Sequence, residues 1–155
     1  MGKSVKRVQE AAKVLGLGIE IVTLDRNTRT AEEAAEACDC DVGQIAKSMI
    51  FEGARSGSLV LVLVSGAHRL DMSHAAEIFG EELVRADPSR VRRDTGFAIG
   101  GVAPIGHLCE LPVWMDTALL DFGTVWAAGG APNTVFEVAP QDLRNATGAR
   151  SFVAH

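Results

Sequence analysis

The 155-residue chain is 47% apolar and 23% charged, a balance that excludes a disordered polymer and predicts a single packed domain over 1–155. Its formal net charge of −5 excludes a protein that grips nucleic acid through a broad basic face, because affinity for phosphate backbones is mostly cationic. The longest apolar run, 59–64, is far too short to cross a bilayer.

In chain order, Ser4 stands as the N-cap of a helix carrying Val5, Val8, Ala12 and Leu15 at helical spacing, ended by Gly16 or Gly18. This amphipathic start is unlike a signal peptide, and with three cysteines in an odd count it predicts reduced thiols in the cytoplasm. A β-rich run follows over 19–24. Thr30 and Glu33 fit a capping box that opens a helix to Ala37. Asp41 and Gln44 repeat the signature for a short helix ending near Ala46.

Residues 47–51 predict a strand, 52–58 a hairpin loop, and 59–64 a strand apolar on both faces, which reads as central. Ser65-Gly66 breaks it. Asp71 caps a predicted helix to Phe79, and Asp87-Pro88 opens another to Asp94. Further on, strands are expected over 113–115, 124–127 and 134–138, with a helical turn over 117–120 and a glycine-rich turn over 129–133. A last helix runs over 140–146.

The stretch 100–107, Gly-Gly-Val-Ala-Pro-Ile-Gly-His, holds three glycines and a proline. It fits a tight connection between elements. It also fits a cradle whose backbone closely approaches an oxygen-rich ligand. Lys47 opens a strand that then turns apolar; it fits a side chain snorkelling to solvent or a fixed cation beside an anionic ligand. His107 ends the loop, as an idle surface residue or as a hydrogen-bonding rim. No serine-hydrolase elbow, Walker loop or dinucleotide fingerprint occurs. Cys38, Cys40 and Cys109 lack the spacing of a zinc site.

Three segments, 44–48 (Gln-Ile-Ala-Lys-Ser), 61–71 (Leu-Val-Leu-Val-Ser-Gly-Ala-His-Arg-Leu-Asp) and 96–107, together resemble the YbaK/EbsC family. That family comprises free-standing aminoacyl-tRNA deacylases and the editing domain associated with prolyl-tRNA synthetase. The likeness continues through 111–113 with Asp116, 128–132 and 138–143. The resemblance implies an α+β (mixed α/β) single domain with a mixed, curved, partly barrel-like sheet surrounded by helices.

The resemblance also implies hydrolysis of the ester joining a wrong amino acid to the terminal adenosine of a tRNA. The attacking water is assisted by the substrate itself. Lys47, Gly100 and Gly101 take the catalytic places. Thr30, Ser48, Phe51, Ser65, Gly66, Val102, Ala103, Pro104, Gly106, His107, Gly129 and Gly130 take the substrate-binding ones. Ile21 and Ala128 join the pocket walls. Residues 131–136 are more apolar than in the cysteine-specific branch, and Leu108 stands where many relatives carry proline.

The partner expected is an aminoacyl-tRNA acceptor end, with a tRNA synthetase or elongation factor as further candidates. No cofactor, metal, membrane or DNA is expected. A local basic patch would suffice for such a partner, and Arg85, Arg90, Arg92 and Arg93 are candidates, or a merely solvated helix face. A non-catalytic binder of aminoacyl or nucleotide ends and a small-molecule esterase on the same scaffold remain the alternatives.

Overall fold

The computed structural model describes residues 2–25 and 28–154. Helix α1 (Lys3–Val14) buries Val5, Val8 and Ala12, and its N-cap is Gly2 rather than Ser4. Strand β1 keeps only Val22–Thr23 of the expected run, because only those residues reach a neighbouring strand. Helix α2 (Ala31–Cys38) opens with the expected capping box between Thr30 and Glu33. The Asp41 cap starts only a 3-10 turn, Val42–Gln44. Strand β2 (Ile45–Gly53) takes over earlier than the sequence suggests, since Ile45 and Ala46 already have strand partners.

Strand β3 (Leu59–Ser65) is buried at every position. The expected 71–79 helix divides into a 3-10 turn, Met72–His74, and α3 (Ala75–Phe79). Two strands have no clear sequence signal: β4 (Leu83–Arg85) and, at the other end of the chain, β8 (Arg150–Phe152). Between them lie α4 (Pro88–Thr95), β5 (Val113–Asp116), β6 (Val125–Ala128), β7 (Thr134–Val138) and α5 (Pro140–Thr147).

The eight strands form one mixed sheet in the order β1-β7-β6-β2-β3-β5-β8, with β4 also on β2. Along one edge β2 pairs antiparallel with β3 from Ala46 to Glu52. Along the other, parallel β6 covers Ile45 and Ala46, and antiparallel β4 covers Phe51 to Gly53. Residues 47–50 lie in the gap between these two partners.

Alternation divides the core by faces. Leu59, Leu61 and Leu63 enter the main cluster with Phe97, Met115, Phe136 and Leu143. Val60, Val62 and Val64 enter a second with Phe51, Ala75 and Phe152. Each such side chain fully buried contributes about 1.5–3 kcal/mol, so β3 anchors both layers. A third cluster joins Ala34 and Ala35 of α2 to Ile45.

Candidate functional site

A cavity of about 260 Å³ opens where β6 leaves β2. Its floor is Ile45 to Ser48 of β2. One wall is the start of α2 with Thr28, Arg29 and Thr30; another is the end of β6 and the following turn, from Trp126 to Val135. Gly100 and Val102 close it from the glycine-rich loop. Arg29 and Lys47 bring two cations to the lining. Among the described residues, none in the lining is a cysteine, histidine or carboxylate.

Lys47 is held rather than free. Its Nζ donates to the carbonyl of His68 at 2.7 Å. Burial pushes its ammonium below the ordinary lysine value of 10.5; Arg69 adds to the effect, while Glu32 and Asp116 oppose it. The turn carrying His68 is fixed from beneath by Asp116, which is fully buried. One Asp116 oxygen, Oδ2, accepts from the Ser65 N–H at 3.1 Å and meets His68 Nδ1 at 2.8 Å. The other, Oδ1, accepts from the Ala118 N–H at 3.0 Å. The Ser65 hydroxyl, facing inward, donates to the Gly43 carbonyl. Gly66 fits against Val42, whose carbonyl lies where a Cβ would be. Ser65, Gly66, His68 and Asp116 thus support Lys47 from behind the cavity.

The loop is pinned at both ends. Arg7 of α1 donates to the carbonyl of Gly96 at 2.7 Å and to that of Gly106 at 3.2 Å. Its guanidinium also stacks over Phe97. Gly100 and Gly106 adopt φ of +93° and +83°, which strains other residues. Ala103 is fully buried, and Val102, Pro104 and Ile105 are buried too, so the loop's apolar side anchors in the main core. Gly101 abuts Ala131 across the cavity mouth.

Of the residues singled out in the sequence, Thr30, Lys47, Ser48, Gly100, Val102 and the wall residue Ala128 come together around the cavity. Gly129 and Gly130 form the turn between lining residues Ala128 and Ala131, with Gly129 packed against Ile21. Phe51 lies instead in the second core: it shares a face of β2 with Lys47 but sits four residues further along, where β4 already pairs with the strand. His107 points inward: its Nε2 meets the Ala103 carbonyl at 2.7 Å, and its ring packs edge-on to Phe97. A carbonyl only accepts, so Nε2 carries the proton. Burial lowers the pKa of His107.

The arginines of 85–93 are partly spoken for. Arg90 pairs with Glu52 and Asp94, and Arg93 with Asp94; Arg85 and Arg92 are exposed. The thiols are poor nucleophiles, since burial pushes Cys38 up to about 11 and raises Cys40 and Cys109. Among the described residues no three His, Cys, Asp or Glu side chains meet to hold a metal ion. No described helix is long and apolar enough to cross a membrane.

No motif in the sequence singles out Arg29 or Asn133. Asn133 has φ of +63°, and its Oδ1 accepts from the Thr28 hydroxyl at 3.0 Å. It ties the two walls together. The only local trace was its place at the end of a Gly-Gly-Ala-Pro-Asn turn.

Known proteins resemble this chain over most of its length. A solved structure described as a candidate trans-editing enzyme for prolyl tRNA synthetase is 45% identical; the match covers 99% of this chain and 98% of that one, with a TM-score of 0.92. The uncharacterized protein YwhH of Bacillus subtilis is 31% identical over 124 residues, 80% of this chain and 78% of that protein. EbsC of Enterococcus faecalis, described as a candidate Cys-tRNA(Pro)/Cys-tRNA(Cys) deacylase, is 25% identical over 119 residues, 76% of this chain and 72% of its own length. Residues 25–146 match the aminoacyl-tRNA editing domain, which takes in the cavity, Lys47 and the pinned loop, and the chain therefore belongs to that family, the YbaK family.

Proposed function

We propose that this protein is a trans-acting hydrolase that removes a wrongly attached amino acid from a tRNA, tRNA-Pro or a related one, in the cytoplasm. The observation that carries the reading is the cavity's chemistry: among the described residues the lining has two cations, a glycine backbone and several hydroxyls, without a cysteine, histidine or carboxylate. Such a site suits ester hydrolysis by positioning rather than by a nucleophile of its own. The Ser48 hydroxyl is buried with no hydrogen-bond partner, which costs about 1–3 kcal/mol.

In this reading the terminal adenosine lies against Gly100 to Val102, with the ester carbonyl near Lys47. Water, assisted by a hydroxyl of the substrate, adds to the carbonyl carbon. Negative charge then develops on the carbonyl oxygen, where Lys47 and the loop backbone stabilise it. Collapse expels the ribose oxygen, which takes up a proton, and frees the amino acid. The alanines at 31, 34, 46, 127, 128 and 131 line the rest of the cavity and make that part of it apolar. Editing is needed because a synthetase pocket separates amino acids differing by one methylene by only about 1–3 kcal/mol.

The test is a panel of tRNA-Pro charged with Ala, Ser, Thr or Cys, followed for loss of the ester. Turnover of at least one is expected, and loss of about 10²–10³-fold in rate with Lys47→Ala, as for one oxyanion donor. No turnover of any overturns the deacylase reading. Full activity in Lys47→Ala removes that residue from the site.

A further inference from the structure

Helix α1 carries Lys3, Lys6, Arg7 and Lys13 against Glu10 alone, in a chain of net charge −5. Arg7 is spent on the loop carbonyls, but Lys3 and Lys6 are exposed, and no ion pair holds them among the described residues. The contrast is with α4, whose Arg90 and Arg93 are paired to carboxylates. Lys3 and Lys6 stand at i, i+3, so their side chains leave one helix face about 5–6 Å apart at Cβ. They line a shallow depression together with Arg7, Glu10, Gly106 and His107.

Helix α1 packs against both chain segments that close the cavity. The Arg7 carbonyl and the Val8 backbone lie 3.2 Å from where a Gly106 Cβ would stand, and the Ser4 carbonyl 3.0 Å from that of Gly130. The first two turns of α1 thus rest on the glycine-rich loop and on the turn after β6, the two segments that close the site. The depression beside these lysines borders the same loop, at Gly106 and His107.

We propose that the Lys3–Lys6 face of α1 is the docking surface for the sugar-phosphate backbone of the tRNA acceptor stem. The identity of the nucleic acid rests on the deacylase reading above; the placement of the surface rests on charge and proximity. Lysine suits this role, because its compact ammonium meets phosphate as a point charge and reads no base. The surface is small, so binding is weak, salt-sensitive and independent of stem sequence.

The test uses the full chain with Lys3→Glu and Lys6→Glu combined, beside Arg55→Glu, at an exposed position of the β2–β3 hairpin, as a control. Acidic side chains in the first turn favour a helix, so the double variant is expected to keep its circular dichroism and melting temperature. Binding of uncharged tRNA is measured across a salt series, and hydrolysis is measured on mischarged tRNA and on an aminoacyl-adenosine. The double variant is expected to bind tRNA about tenfold more weakly at low salt, with the slope of log affinity on log salt shallower by about one to two. Its hydrolysis of aminoacyl-adenosine stays at the wild-type rate, while Arg55→Glu changes neither. Unchanged tRNA affinity and slope in the double variant overturn the proposal, as does an equal loss in Arg55→Glu, which would mean diffuse attraction. Uncharged tRNA needs no turnover. A wild-type protein that binds it through α1 but hydrolyses no ester would overturn the deacylase reading and leave this surface standing.

Discussion

The buried polar residues are the ones that single out conformations. Asp116 gathers two backbone N–H groups and a histidine at one interior point. Replacing it by Asn puts a donor where one of those donors now points. Asp116→Asn is expected to cost about 1–3 kcal/mol, read as a lower urea midpoint at unchanged slope. His107 titrates against the fold in a defined sense. Its folded pKa lies below the ordinary 6.5 because of burial, so the unfolded chain binds the proton more readily. Its contribution to stability is whole above pH 6.5 and declines as pH falls through that value toward the folded pKa. Melting curves across that range are expected to show the decline, and His107→Gln to flatten it. The imidazole was visible in the sequence; its inward turn toward Ala103 was not, because exposure of a loop residue is decided by what packs beside it.

Among the elements, β2 decides where the site lies. Its edge partners β6 and β4 stop short of one another, and Lys47 and Ser48 sit at the gap. The glycine-rich segments let other elements close around that gap. Gly130, at φ of +108°, has Val8 at 2.9 Å and the Ser4 carbonyl at 3.0 Å from the place of a Cβ. Gly130→Ala therefore combines backbone strain with a clash against α1. It is expected to destabilise by about 1–3 kcal/mol from strain alone, seen in thermal melts, and to reduce turnover by displacing a cavity wall. Local signals placed most elements well. The Thr30 box, the Asp87-Pro88 start and the unbroken apolar run of β3 each act within a few residues. The short strands β4 and β8 have meaning only through Glu52 and Trp114, which pair with them, and so left no periodic trace.

At the scale of the molecule, β2 and β3 contribute to more than one core cluster, which couples the layers. Trp114 packs on the second cluster and Trp126 on the third. The single-tryptophan variants Trp114→Phe and Trp126→Phe are therefore expected to report one common urea midpoint after correction for each variant's stability by circular dichroism. Separate transitions for the two fluorophores would show that the layers unfold independently. The sequence by itself determined the mixed helix and strand content, the caps, the central apolar strand, and the presence of a lysine and a glycine-rich loop in the order typical of the family. Only the tertiary structure decided that Arg29 and Asn133 join the cavity, that Phe51 does not, and that Arg7 clamps the loop from a distant helix. Caps, turns and periodicity are fixed by neighbours along the chain, whereas a cavity is made by residues far apart in sequence whose meeting depends on register and packing.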